Sequence, residues 1–342
     1  MRGVFIKSHG GPEVVEVGDL VTPHCGPGQV RVRIQFAALN HLDLWVRGGW
    51  PGLKLTFPHV LCSDGAGVVE SVGVDVLKVK PGQAVLVHPG VSCGKCDHCT
   101  RGTESLCAHY KILGEQLSGT GADFVVVPEV NVFSKSSALS FEQAASAALV
   151  FTTAWEMLVV KGCLKAGDWV LIHGAGSGVS SAAIQIASLF GAEIAVTSGS
   201  DTKLERAKGL GAHHLINYKT QDFEIEVKKL RKPGADIIVD HVGQAFWEKN
   251  IKVLRSGGTL VTCGATTGVQ GKTDLAHLYF RQLKLLGSTM GSKRDFPRIL
   301  GLLETGKLKP VLDKTFSIDE TVRAQCYLAD ADQFGKVLLK VS

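Results

Sequence analysis

The amino-acid sequence predicts an α/β fold in which a doubly wound parallel sheet is joined to a second lobe made mainly of β-strands. The first observation is that residues 1–135 contain short β-branched runs, such as QVRVRI and DFVVVP, separated by Gly and Pro. The second is a change of pattern: beyond the helical segment FEQAASAALVFTTAWEML, candidate strands alternate with candidate helices. Strands connected in this way form parallel sheets, and 342 residues allow about two domains.

Six candidate strands and four candidate helices make up the alternating region. The strands are DWVLIHG, EIAVTSG, HLINY, ADIIVDHVG, TLVTCGA and LKLLGST. The helices are SGVSSAAIQIASLFGA, TKLERAKGLGA, QDFEIEVKKLR and QAFWEKNIKVLRSGG, each with apolar residues three or four positions apart. The tail adds a helix, FPRILGLLETG, and a last strand, KVLLKV, that could return to the first lobe. We therefore assign residues 1–135 and 297–342 to the β-rich domain, and residues 136–296 to the domain with the parallel sheet.

Composition and charge argue against several classes of protein. The sequence is 45% hydrophobic and 20% charged, as in ordinary globular proteins. The opening MRGVFIKSHGGPE lacks the apolar core of a signal peptide, and no run reaches the roughly 18 apolar residues of a membrane helix. The net charge of +5 is mild and interspersed, so no nucleic-acid partner is indicated. Nine cysteines, an odd number, favour a reducing, cytoplasmic location.

A cluster of four cysteines is the strongest local motif in the sequence. Cys93, Cys96, Cys99 and Cys107 have C-x2-C-x2-C-x7-C spacing, which lets one short loop place four thiolates around a tetrahedral zinc. Four protein ligands leave no position for water or substrate, so we expect a structural metal held by residues 93–107. The alternative, two disulfides or free thiols, fits small secreted proteins better than a chain of this size.

A glycine-rich turn between a strand and a helix predicts a dinucleotide site. DWVLIHG leads into GAGSGVSS, where Gly174, Gly176 and Gly178 permit a tight turn and close approach of the backbone. A diphosphate would bind the amides at the start of the helix, including those of Ser177 and Val179. Ser180 stands where a third spaced glycine is expected. A purely structural turn is the alternative.

The end of the second strand of the alternating region favours NADP over NAD. NAD sites usually have an acidic residue there, which binds the adenosine ribose hydroxyls. This sequence has TSG instead, and Ser198, Ser200 and Lys203 could bind a 2'-phosphate. NAD remains an alternative because Asp201 could turn inward, and Lys203 could be only a solvated lysine.

Taken together, these motifs resemble the medium-chain dehydrogenase/reductase superfamily of zinc alcohol dehydrogenases and quinone reductases. The resemblance covers essentially the whole length. It rests on GGPE, ALNHLDLW, GAGVVESVG, the four-cysteine loop, SGVSSAAIQIA, LKLLGST and GKVLLKV. It implies a GroES-like β-rich catalytic domain, a Rossmann domain, a cleft between them, a small-molecule substrate and assembly into homodimers or homotetramers. The segment DLAHLYFRQLKLLGST is our candidate for the subunit contact.

The sequence departs from zinc alcohol dehydrogenases at the catalytic metal. Those proteins hold it with a Cys in the first segment, a His in a GHE motif and a later Cys. The matching positions here are Asn40, Ser63 followed by Asp64, and about Leu149. These residues do not supply the three ligands that a catalytic zinc needs. An unusual second zinc site built from nearby side chains is the alternative; the candidates are His41, Asp43, His59, Cys62 and Asp64.

The remaining candidate site residues come mainly from the resemblance. It places His41 near the cofactor diphosphate and Thr153 beside the nicotinamide, although His41 could be a surface residue and Thr153 a helix residue bonded to its own backbone. Gly264, in TLVTCGA, is also assigned to the cofactor, and Lys336 either reaches the cofactor phosphates or is exposed. Asn40 could stabilise an enolate oxygen, and Asp64 could orient its neighbours.

Three functions are compatible with these residues. The first is an NADP-dependent, zinc-independent reductase of an enone, quinone or unsaturated thioester, substrates that carry their own electron sink. The second is an alcohol or aldehyde dehydrogenase, a branch that the four-cysteine loop resembles. The third is a non-catalytic NADP-binding protein. The sequence does not identify the substrate, because its apolar pocket depends on side-chain geometry.

Overall fold

A computed structural model describes residues 1–342 and divides them into two compact units. Unit 1 comprises Met1–Thr152 and Ser292–Ser342, and unit 2 comprises Thr153–Gly291. The predicted β-rich domain ends earlier, at residue 135, and resumes at residue 297. The difference at the first boundary has a physical reason: helix α3 (Phe141–Ala145) packs on three strands of the unit 1 sheet, so this segment belongs to the β-rich unit.

Unit 1 contains mainly β-structure. Its strands are β1 (Arg2–Ile6), β2 (Val15–Asp19), β3 (Gln29–Leu39), β4 (His59–Val60), β5 (Asp64–Val72), β6 (Ala84–Val87), β7 (Gly90–Val91), β8 (Lys111–Ile112), β9 (Phe124–Pro128), β10 (Val132–Ser134), β17 (Leu312–Ser317) and β18 (Lys336–Lys340). Its helices are α1 (His41–Gly48), α2 (Asp97–Thr100), α3, α10 (Phe296–Glu304) and α11 (Thr321–Ala329), and α4 (Ala148–Trp155) crosses the unit boundary.

The largest sheet of unit 1 has the order β10-β6-β5-β3-β18-β17, with β9 also paired to β3. Strand β3 is central because its alternating sequence buries Val30, Val32 and Ile34 on one face. The last strand, β18, pairs antiparallel with β3 and places Val337 opposite Leu39. The expected return of the C-terminal strand to the first lobe is therefore confirmed.

Unit 2 contains one six-stranded parallel sheet with helices between the strands. The strands are β11 (Trp169–Ile172), β12 (Glu193–Ser198), β13 (His214–Asn217), β14 (Ala235–Asp240), β15 (Leu254–Thr262) and β16 (Lys284–Gly287). The helices are α5 (Gly178–Leu189), α6 (Asp201–Lys208), α7 (Phe223–Leu230), α8 (Gln244–Val253) and α9 (Leu275–Phe280), after a π-helical turn at Glu156–Lys161. The strand order β13-β12-β11-β14-β15-β16 is that of a Rossmann fold, which confirms the predicted fold class.

The parallel strands of unit 2 are buried, and its long first helix packs closely on them. Strands β11 and β14 consist entirely of buried residues, as expected for a sheet covered on both faces. Helix α5 buries Ala182, Ala183 and Ala187, whose small side chains allow close packing. Across the chain, no helix combines the length and apolar character needed to cross a bilayer.

Candidate functional site

The cofactor turn lies at the carboxyl end of β11, beside the point where strand order reverses. Strands β12 and β14 pair with opposite edges of β11. The chain therefore runs from β11 to one side of the sheet and later continues on the other side, which opens a crevice at the end of β11. The turn of residues 174–177 follows β11, and α5 begins at Gly178. Gly178 and Val179 lie in the first helical turn, whose amides have no acceptor within the helix. The five predicted turn residues are therefore placed together where a diphosphate can bind.

His241, which the sequence did not single out, stabilises this turn. A Cβ atom on Gly174, where φ is +65°, would lie 2.8 Å from His241 Cε1, so only glycine fits. The His241 Nε2 atom is 3.1 Å from Ser177 Oγ and 2.9 Å from Ser180 Oγ. Ser180 Oγ also donates to the His173 carbonyl at 2.6 Å. A serine at the third glycine position is thus fully bonded, which explains why the turn tolerates it.

The end of β12 has no carboxylate directed at the cofactor side. Ser198 Oγ accepts a hydrogen bond from the Ser200 amide at 3.2 Å, and Ser200 caps α6. Asp201, the acid that could have turned inward, accepts a hydrogen bond from Asn217 Nδ2 at 2.6 Å. Its carboxylate is therefore directed to the end of β13.

Tyr218 and Lys219 extend this end of the site. A Cβ atom on Gly199 would lie 2.9 Å from both Lys219 Cε and Tyr218 Oη. These two side chains also line a cavity of about 370 Å³. Neither residue was predicted from the sequence, because both follow β13, whereas the TSG segment ends β12. Lys203 lies one turn into α6, and Gly264 follows β15.

A buried polar cluster in unit 1 contains Asn40, Asp64 and the Leu149 amide, which lie at or next to the positions that the resemblance matches to a catalytic metal. Asn40 follows β3, Asp64 begins β5, and the register of the two strands pairs Ala38 with Asp64. Asn40 Nδ2 donates to Asp64 Oδ2 at 3.0 Å, and the Leu149 amide donates to Asp64 Oδ1 at 2.8 Å. Asp64 is completely buried.

Lys336 supplies the positive charge of this cluster. Its Nζ atom donates to Asp64 Oδ2 at 3.0 Å, to Asn40 Oδ1 at 2.5 Å and to the Leu39 carbonyl at 2.9 Å. An ammonium has three N–H donors, so all of them are used within unit 1 rather than by a cofactor phosphate. Lys336 is only 3% exposed. The cluster therefore contains a buried cation bound to the Asn40 and Asp64 side chains.

Asp43 holds the neighbouring backbone in place. Its Oδ2 atom accepts from the Asn40 amide and its Oδ1 atom from the Cys62 amide, both at 2.7 Å. Burial raises the pKa of Asp43 to about 6, although these two hydrogen bonds lower it. Burial also raises the pKa of the Cys62 thiol well above its usual range, so the thiol stays protonated.

These residues do not fit a catalytic zinc. The Lys336 ammonium binds the Asp64 and Asn40 oxygens that a metal would need, and Leu149 contributes only a backbone donor. The side chains of His41, Asp43, His59, Cys62 and Asp64 do not form a group with converging ligand atoms.

The four-cysteine loop, in contrast, fits a zinc ion closely. All four sulfur atoms lie within 4.8 Å of one another, and three of the separations are 3.5, 3.6 and 3.8 Å. A tetrahedral site with Zn–S bonds of about 2.3 Å requires sulfur atoms roughly 3.8 Å apart. Lys293 anchors the loop because its amide donates to Glu104 at 2.5 Å and its ammonium to the Gly90 carbonyl at 2.7 Å.

Two predicted residues lie apart from these clusters. His41 is the exposed first residue of α1 and packs edge to face against Trp45, with ring centroids 5.0 Å apart. Thr153 is buried on α4 at the beginning of unit 2. Their assignment to the cofactor remains a prediction.

Comparisons with known proteins agree with this architecture. Residues 26–137 match the alcohol dehydrogenase GroES-like domain, and residues 178–305 match the zinc-binding dehydrogenase family. An NAD-dependent alcohol dehydrogenase of Sulfolobus acidocaldarius is 31% identical, with all of both chains covered. Human quinone oxidoreductase is 26% identical over 99% of this chain and 97% of its own.

A solved structure gives the same result. The crystal structure of an NAD-dependent alcohol dehydrogenase, 48% identical in sequence, superimposes with a TM-score of 0.96 and covers all of both chains. Its similarity extends over both the β-rich unit and the Rossmann unit. The chain therefore belongs to the medium-chain dehydrogenase/reductase superfamily, and it is an NAD(P)-dependent oxidoreductase related to zinc-type alcohol dehydrogenases and quinone oxidoreductases.

Proposed function

We propose that this enzyme reduces an activated carbon–carbon double bond, in an enone, quinone or unsaturated thioester, without a catalytic zinc. The observation that supports the proposal is that Asn40, Asp64 and Lys336 bind one another and that this region has no converging set of zinc ligands. Carbonyl reduction produces a strongly basic alkoxide and benefits from a Lewis acid. An enolate is less basic, so hydrogen-bond donors are enough to stabilise it.

Different residues of the chain would bind the cofactor and stabilise the negative charge that forms on the substrate. The amides of the turn at 174–179 would bind the cofactor diphosphate, with His241 holding the turn. When bound, the reduced nicotinamide supplies a hydride for the β-carbon of the substrate. As the C=C electron pair moves toward the carbonyl, Asn40 would donate a hydrogen bond to the oxygen that becomes negative. A proton from water then completes the reduction, at the α-carbon of an enone or thioester and at the oxygen of a quinone. Thr153 is proposed to contact the nicotinamide.

A substrate panel tests this function. We expect 2-cyclohexenone, 1,4-benzoquinone or crotonyl-CoA to have a kcat/KM at least about 100-fold above that of benzaldehyde, a difference of about 2.7 kcal/mol in transition-state free energy. The second candidate, alcohol dehydrogenation, is favoured by the names of the 31% and 48% identical relatives. Preferred turnover of alcohols or aldehydes would establish it. Binding of NADPH without turnover of any substrate would instead indicate the non-catalytic alternative.

We propose NADP(H) as the preferred cofactor. The end of β12 lacks a carboxylate, Asp201 is bonded to Asn217, and Tyr218 and Lys219 lie beside Gly199. Ser198 and Lys203 would bind the 2'-phosphate with them. Two relatives are named as NAD-dependent, so a preference for NADH is the result that would contradict this proposal.

Changing Gly199 to aspartate is expected to reverse this preference. The new carboxylate would repel a 2'-phosphate and bind ribose hydroxyls, and its Cβ would displace only the ends of Lys219 and Tyr218. We expect kcat/KM to fall at least about tenfold for NADPH relative to NADH, a difference of about 1.4 kcal/mol. Lys208→Ala, an exposed change at the other end of α6, is the control. A wild-type enzyme that already prefers NADH would contradict the assignment.

We propose that β16 and α9 form the contact between subunits of a homodimer or homotetramer. Strand β16 is an edge strand, and three large apolar side chains near it are more than 60% exposed: Leu275, Tyr279 and Phe280. We expect Phe280→Asp to lower the oligomer mass in sedimentation, with Val21→Asp, a change of an exposed apolar residue in unit 1, as the control. An unchanged mass would place the contact elsewhere.

We propose a reducing, cytoplasmic location, because the sequence has an odd number of cysteines and four of them fit a metal site. Four of them, Cys93, Cys96, Cys99 and Cys107, are proposed to bind the structural zinc.

A further inference from the structure

The chain returns from unit 2 to unit 1 beside the zinc loop, residues 93–107. Residues 292–295, the return segment, are the first residues of unit 1 after the chain leaves unit 2. Lys293 in this segment donates from its backbone amide to Glu104 Oε1 at 2.5 Å and from its ammonium to the Gly90 carbonyl at 2.7 Å. The returning chain is therefore bonded to the zinc loop and to the strand that precedes it.

Lys293 is a buried cation beside two of the loop's sulfur atoms. Only 13% of its side chain is exposed, and its ammonium lies 4.0 Å from Glu104 Oε1. Burial lowers the pKa of Lys293, whereas the charges of Glu104, Cys99 and Cys107 raise it. The ammonium is thus close enough to attract both sulfur atoms as well as the carboxylate.

A zinc-loaded loop needs such a positive charge. Four thiolates and one Zn²⁺ together leave two negative charges, and Cys107 brings one of the four sulfurs into a buried position. Buried charge is costly without a partner. The basic residues of the loop itself, Lys95, His98 and Arg101, are exposed, so water and salt screen them. Lys293 supplies a positive charge from the buried side instead.

We propose that Lys293 and Glu104 are part of the metal site: the Lys293 ammonium offsets the charge of the zinc-bound thiolates, and Glu104 ties the return segment to the loop. Zinc binding and the ordering of the return segment then stabilise each other. This coupling is reciprocal, because zinc and the segment affect one another by the same free energy. The inference rests on the proposed structural zinc and does not depend on which substrate the enzyme reduces.

The rate of zinc loss to excess 4-(2-pyridylazo)resorcinol, a coloured chelator, tests the role of the charge. Lys293→Met removes the positive charge, so zinc should leave at least about tenfold faster than from the wild-type protein. Glu104→Gln keeps an oxygen that can accept from the Lys293 amide but removes the negative charge. The ammonium then acts on the thiolates alone, and zinc should leave at least about twofold more slowly. A purely structural role predicts faster loss in both variants.

Lys95→Met is the matched control for the zinc-loss experiment. It removes an exposed lysine inside the zinc loop and should change the rate by less than about twofold. Lys293→Arg keeps the charge in a side chain of different shape, so its rate should lie closer to the wild-type value than that of Lys293→Met. If Lys293→Met fails to fold, Glu104→Gln still tests the inference, because its expected effect has the opposite sign.

Hydrogen–deuterium exchange measures the coupling in the other direction. The bond to Glu104 protects the Lys293 amide. A peptide covering the return segment should therefore exchange at least about tenfold faster once the chelator has removed the zinc. A peptide from β5 (Asp64–Val72), which pairs with strands on both sides, should exchange equally in the two states. This comparison separates a local effect from general unfolding.

Three results would overturn the inference. They are zinc loss from Lys293→Met no faster than from Lys95→Met, faster zinc loss from Glu104→Gln, and equal exchange of the return segment with and without zinc. If the wild-type protein contains one zinc per chain, any of these results removes the inference and leaves the proposed zinc site in place. A wild-type protein that contains no zinc would remove both.

Discussion

Replacing Cys107 by serine is expected to remove the zinc from this protein and to lower its free energy of unfolding by about 3 kcal/mol or more. Cys107 is one of four sulfur atoms within 4.8 Å of one another, and it is the only buried one. A structural zinc contributes directly to folding, with binding free energies of about 10–16 kcal/mol in small zinc domains. The loss is smaller here because the loop is also anchored by Lys293.

Zinc content per chain and the thermal midpoint measure this effect. The wild-type protein should contain one zinc, and Cys107→Ser close to none, with a thermal midpoint lowered by roughly 6 °C or more. Cys163→Ser, at an exposed thiol in unit 2, should change neither quantity. Full zinc content in Cys107→Ser would show that the four thiols are not the ligands. Two zinc ions in the wild-type protein would indicate a second metal site and favour the alcohol dehydrogenase function.

The strands and helices of unit 2 were largely predictable from the sequence, because the local spacing of their apolar residues agrees with the way they pack. Strands β11 to β16 and helices α5 to α8 overlap the predicted segments, because their apolar periodicity agrees with their packing in the fold. The end of the predicted helix QAFWEKNIKVLRSGG was wrong, since α8 ends at Val253 and β15 begins at Leu254, where the chain pairs with β14. The domain boundary was less predictable, because α3 carries a helical pattern in sequence but packs on the strands of unit 1.

The polar cluster was only partly predictable. Motif positions identified Asn40 and Asp64, but the role of Lys336 depends on a contact between residues 296 positions apart. In sequence, a lysine near the C-terminus resembles any exposed lysine. Its burial follows from the pairing of β18 with β3, which places it beside Leu39 and Asn40. His241 and Tyr218 were missed for the same reason, since each acts on a segment far away in sequence.

The second large effect is expected from Asp64→Ala, which should lower the free energy of unfolding by about 3–5 kcal/mol, the usual cost of leaving a buried charge without its partner. Asp64 is completely buried and accepts hydrogen bonds from Asn40, Leu149 and Lys336. Its removal leaves the Lys336 ammonium with only two neutral oxygens. The matched control is Asp319→Ala, which breaks an exposed ion pair with Arg2 and should cost less than about 1 kcal/mol.

Urea unfolding of Asp64→Ala, Lys336→Met and the double variant measures how much of the lost unfolding free energy comes from the interaction between Asp64 and Lys336. Once Asp64 is absent, the ammonium is an unpaired buried charge, so removing it should recover stability instead of losing more. We expect the double variant to be more stable than Asp64→Ala, with a coupling free energy of about 2–3 kcal/mol. Strictly additive losses would mean that the two charges do not interact. Such a result would also mean that attraction to Asp64 is not what holds the Lys336 ammonium against Asn40.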